Sequence, residues 1–111
     1  MQLAIGPVLS ERDAVAGKLS AVYSRGEVRD FLDLDAIRSS GHWPDQALLA
    51  LARGHDDGFN DRMFAAQLTR VSNFLPSEAA TYGISGDDFA AVQTRLLFWA
   101  STISNSPNLL P

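Results

Sequence analysis

Apolar positions along this chain recur mostly at three- and four-residue spacings, the period of helices that lay one face on a core. Between Glu11 and Ser24, Val15, Lys18, Leu19 and Val22 fall at i, i+3, i+4 and i+7, so a lysine interrupts an otherwise apolar stripe. Ser10 with Asp13 makes a capping-box-like start for this first helix, and Arg25-Gly26 closes it, glycine being suited to a left-handed position there. Gly17 costs the helix interior about 1 kcal/mol relative to alanine, and close approach by another backbone or a ligand is the expected reason for it. A second helix is predicted over Val28–Ser39, with Phe31, Leu34 and Ile37 or Leu32 facing inward and an end before Gly41.

Trp43-Pro44-Asp45 opens a third helix that runs through Leu51 to Arg53, and the stretch from Gly54 to Gly58 reads as a loop. A fourth is predicted over Asn60–Asn73, with Met63, Phe64, Leu68 and Val71 as its apolar stripe. Leu75-Pro76-Ser77 interrupts it, and one more turn follows at Glu78–Tyr82. Ser85 caps the longest helix with Asp88 at the N3 position, and Phe89, Val92, Leu96 and Trp99 mark the buried face. The aromatics Trp43, Phe74, Phe98 and Trp99 are all expected in the core.

Ahead of these helices, Gln2–Leu9 reads as a short extended segment broken at Gly6-Pro7, for which the chain offers no obvious partner strand. The expected architecture is a small all-α bundle of about five helices behind a short extended N-terminal segment. Residues 1–9 are the lead-in, 10–104 the helical domain and 105–111 a flexible tail.

Composition narrows the function. At 111 residues the chain is one domain with room for one core, and 46% hydrophobic with 20% charged residues is ordinary for a folded protein. The net charge of −4 argues against DNA binding and against any non-specific hold on nucleic acid through phosphates. There is no cysteine, so disulfides and thiolate metal sites are excluded. No signal peptide and no span of about 20 apolar residues is legible, which excludes a membrane segment and makes a cytoplasmic location the expectation. Of nine basic residues only one is lysine, as in a GC-rich coding bias, and Lys18 is that one.

A lysine on a buried stripe needs an anion, and Asp30 and Asp33 lie three apart on the next helix. Two readings follow from the spacing. Lys18 with Asp30 and Asp33 is a structural ion pair fixing the first helix on the second, or it is half of an active site. In the second case the lysine holds phosphates, and a carboxylate binds metal or orients a nucleophile. Arg25 and Arg29 stand four apart and are either a solvated face, with Arg29 paired to Asp33, or a phosphate grip. His42 and His55, with Asp45, Asp56 and Asp57 nearby, lack any metal-ligand spacing, so no metal site is expected. No nucleophilic triad and no glycine-rich phosphate loop is legible either.

The run Asp13-x4-Lys18, then Tyr23-Ser24-Arg25, then Arg29-Asp30-Phe31-x-Asp33-Leu34, resembles the downstream half of the AbiEii/AbiGii-type nucleotidyltransferase toxins of type IV toxin–antitoxin and abortive-infection systems. The resemblance is specific over about Ile5–Ile37 and compatible in helical character beyond. It implies that Lys18 is the active-site lysine, that Asp30 and Asp33 are the carboxylates of the last motif, and that Arg25 and Arg29 stand beside them. It also implies Mg²⁺-dependent transfer of a nucleotide from an NTP, with an RNA acceptor in some members. The family's core needs an upstream Gly-Ser and a D-x-D metal pair on a mixed sheet, and neither precedes Lys18 here. The expectation is a helical C-terminal part, inactive alone and without cofactor of its own, whose partner is the missing catalytic half or an antitoxin. The alternative is a non-enzymatic helical module that forms homo-oligomers or binds a toxin or antitoxin.

Overall fold

The computed structural model describes residues 11–105, so the predicted extended segment at Gln2–Leu9, the Ser10 cap and the tail beyond Asn105 lie outside the described residues. Among the described residues six α-helices make up the bundle: α1 (Glu11–Ser24), α2 (Val28–Ser39), α3 (Asp45–His55), α4 (Asp61–Leu68), α5 (Pro76–Ala80) and α6 (Gly86–Ser104). A 3₁₀ turn at Thr69–Asn73 carries α4 toward α5. Among the described residues there is no strand, and the all-α architecture expected from periodicity is the one observed.

The helix ends follow local chemistry. Gly26 takes φ +65°, and its N–H and that of Arg25 both donate to the Ala21 carbonyl, closing α1. Asn60 and Ser85 cap α4 and α6 by accepting the Met63 and Asp88 N–H groups. At α5, Pro76 occupies the first turn, where its missing N–H costs nothing, and Glu78 reaches back to accept from Leu75 N–H at 2.7 Å. The carbonyls at the end of α1 are met from elsewhere in the chain: Gln67 Nε2 donates to Tyr23 O at 2.9 Å.

One core joins all six helices. Val15, Leu19 and Val22 of α1 meet Phe31 and Leu34 of α2, Leu48 of α3, Phe64 and Leu68 of α4, and Phe89, Leu96 and Trp99 of α6. Phe64 and Trp99 pack edge-on at 5.4 Å between ring centres, the geometry that ring quadrupoles favour. α1 lies against α2, α3 and α4, while α6 lies against α2, α4, α5 and the 3₁₀ turn.

The structure departs from the sequence reading at several places. Met63 and Phe98 are exposed, at 60% and 72%, because each stands one residue, about 100° of helix, from the true inward position at Phe64 or Trp99. Trp43 and Phe74 are half-buried at the margin of the core. The fourth helix ends at Leu68 and tightens, since the Thr69 and Ser72 hydroxyls donate to carbonyls three residues back and pull the ladder out of α geometry. A Cβ on Gly17 would meet nothing within 4 Å, so the expected close approach at this residue is absent.

Candidate functional site

The junction of α1 and α2 gathers the charged residues that the sequence singled out. Lys18 leaves the buried stripe at its margin, and its Nζ donates to Asp33 Oδ2 at 2.8 Å, with both side chains a little over two-fifths exposed. The stem of the lysine follows the apolar face and the ammonium stays at the surface, which is how a lysine is tolerated among Val15, Leu19 and Val22. No other acceptor among the described residues takes the remaining ammonium hydrogens.

Asp30 is placed quite differently. It is fully buried, at 0% exposure, and accepts three hydrogen bonds: Arg25 Nε at 3.0 Å and Nη2 at 2.5 Å in a two-pronged grip, and Glu27 N–H at 2.9 Å. Burial pushes its carboxyl up, but the Arg25 guanidinium, the Glu27 N–H and the charge of Arg29 outweigh that and hold it below its ordinary 3.8. Hydrogen bonding to Asp30 correspondingly raises the Arg25 guanidinium. All of this fixes the first turn of α2. Arg29 is exposed and acts on Asp30 only through its charge; the expected Arg29–Asp33 pair is absent, because Asp33 turns to Lys18.

The structure therefore brings Lys18 and Asp33 together, ties Asp30 to Arg25 in a separate pair, and leaves Arg29 outside both. Asp33-Leu34-Asp35 does spell D-x-D, yet on a helix those carboxylates stand about 200° apart. Asp33 meets Lys18, while Asp35, nearly buried, is gripped by Arg95 Nε at 3.0 Å and Nη2 at 2.7 Å. Among the described residues no three His, Asp or Glu side chains converge on a point that could hold a metal ion.

Two arrangements escaped the sequence reading. One is the Asp35–Arg95 pair, joining residues 60 apart, which lines a groove of about 440 Å³ between α2 and α6. The other is Arg38, which binds Asp45 through two bonds of 2.9 Å and stacks 4.4 Å over the Trp99 ring. Only the aspartate at the start of α3 gave a local signal.

The described residues form an all-helical domain with a lysine–aspartate pair at the α1–α2 junction and a buried aspartate fixing the second helix. A family model described as the nucleotidyl transferase AbiEii toxin of type IV toxin–antitoxin systems matches residues 5–98. The match spans all of α1 to α5 and most of α6, and the chain belongs to this family. No curated protein and no solved structure matches the chain.

Proposed function

We propose that this chain is the helical part of a nucleotidyltransferase-like toxin, in which Lys18 and Asp33 contribute to a site completed by a Gly-Ser/D-x-D half. The observation that carries the reading is the placement of Lys18. The single lysine of the chain is kept at the surface of an otherwise buried stripe, with ammonium hydrogens free for an incoming anion.

The described residues do not fit a Mg²⁺ site. Asp30, Asp33 and Asp35 each answer a different cation and face apart, so no carboxylate pair is left to bridge a metal. The chain's own part is electrostatic: Lys18 neutralises phosphate oxygens of an NTP, and Asp33 holds the ammonium in place until phosphate arrives. Asp30 and Arg25 are positioning residues, since they fix the turn from which Asp33 projects. On this reading the chain alone transfers nothing.

The test is binding of a nucleoside triphosphate to the full chain, followed by calorimetry. Lys18→Ala is expected to weaken it roughly tenfold, the worth of one charged contact. Thr102→Ala, at an exposed residue near the end of α6, is expected to leave it unchanged. Equal affinity in wild type and Lys18→Ala, or no binding at all, sinks the reading. The exposed apolar side chains Met63, Leu75, Tyr82 and Phe98 favour a second reading, a non-enzymatic module that self-associates. Mass that rises with concentration while no nucleotide binds would decide for it.

A further inference from the structure

Between α3 and the start of α4 runs a groove of about 420 Å³ that shares no residue with the Lys18–Asp33 junction. Gln46, Leu49 and Arg53 recur at three- and four-residue intervals, so one face of α3 forms a wall. The opposite wall is the segment Phe59, Asn60 and Arg62. Its volume suits a small phosphate ester with its ordered water.

We infer that this groove binds a phosphate group, gripped by Arg53 and Arg62. The argument is one of charge and of unused donors. The groove holds two guanidinium groups against one carboxylate, Asp61, so it is locally cationic on a molecule whose net charge is −4. Arg53 spends only Nη1 on Asp61, at 2.6 Å, which leaves its Nε and second terminal nitrogen without an acceptor among the described residues. That bond also steadies the guanidinium, because Asp61 is itself only 10% exposed. Arg62 and Gln46 make no hydrogen bond or ion pair among the described residues.

Arginine is the side chain that meets phosphate oxygens in pairs, and this groove has two of them in its lining. Leu49 and Phe59 supply an apolar wall beside the donors. Phe59 is held by ring contacts to Tyr23 at 4.8 Å and Phe64 at 5.2 Å, so that wall is anchored to the core. The inference stands apart from the proposed role of Lys18 and survives its failure.

The same chemistry is offered by a free phosphate ester and by an RNA backbone, and one experiment separates them. The full chain is titrated at low salt with inorganic pyrophosphate and with a short single-stranded RNA, using wild type, Arg62→Gln and Lys18→Ala. Arg62 is exposed and has no side-chain partner to lose among the described residues, so the Arg62→Gln variant should keep the wild-type melting temperature. Expected is pyrophosphate binding that Arg62→Gln weakens roughly tenfold and Lys18→Ala leaves intact. RNA binding with the same response to Arg62→Gln, in the absence of pyrophosphate binding, also upholds the site and assigns it to a nucleic-acid backbone. The inference is overturned if neither probe binds, if Arg62→Gln binds like wild type, or if Lys18→Ala abolishes binding.

Discussion

Asp30 and Asp33 are three residues apart on one helix and do opposite work. Asp30 is buried, takes both prongs of Arg25 and caps the start of α2; Asp33 is half exposed and holds one lysine. Asp30→Ala removes the acceptor for the first turn of α2 and for the half-exposed Arg25 guanidinium, and is expected to cost about 1–2 kcal/mol in denaturant unfolding. Lys18→Ala removes a solvent-screened pair and should cost less than about 1 kcal/mol. That asymmetry leaves Lys18 free for a ligand: the fold does not need it. Acid sharpens the contrast. Because the folded-state pKa of Asp30 lies below its ordinary 3.8, its contribution is complete above that value and is lost as pH falls through the lowered one. The melting-temperature gap between wild type and Asp30→Asn should therefore stay constant from neutral pH to about pH 4 and close below it.

Helix boundaries were legible wherever the stop signal is local. Arg25-Gly26 and Gly41 end α1 and α2 where a left-handed glycine must stand, at φ +65° and +80°. Legibility failed where the deciding partner is distant or where one register step separates inside from outside. Nothing near Asp35 reveals that its cation is Arg95, 60 residues on, and nothing near Met63 reveals that the core takes Phe64 and leaves Met63 outside. The same limit applied to the candidate site. Spacing joined Lys18 to both aspartates, but Arg25 had already claimed Asp30 through a turn whose geometry no residue count contains. Arg95→Ala strands a nearly buried carboxylate and should cost about 2–3 kcal/mol, discounted for the half-exposed arginine. Asp35→Ala with Arg95→Ala should cost less than the sum of the two single changes in the same unfolding assay.

At the scale of the molecule, one core links α1 through α6, and Trp99 lies inside it under the Arg38 guanidinium. With no second cluster among the described residues to melt separately, unfolding followed by tryptophan emission and by far-ultraviolet circular dichroism should give coincident transitions. Phe64→Ala empties the centre of that core and should cost about 3–5 kcal/mol, the largest loss of any single truncation proposed. Among the described residues no helix is long and apolar enough to cross a membrane. The α3–α4 groove sets two arginines against one aspartate on a molecule of net charge −4, and the α1–α2 junction offers the Lys18 ammonium. Raising salt should weaken anion binding at each while leaving the melting temperature nearly unchanged.

A chain with one lysine carries one ε-amine, and that amine rests 2.8 Å from a carboxylate on a neighbouring helix. A carbodiimide, which condenses such a pair into an amide without adding atoms, would bolt α1 to α2 at this single point. The yield of that bolt then becomes a gauge of occupancy: any anion that draws Lys18 off Asp33 lowers it, and a peptide map reads the result from one cross-linked product.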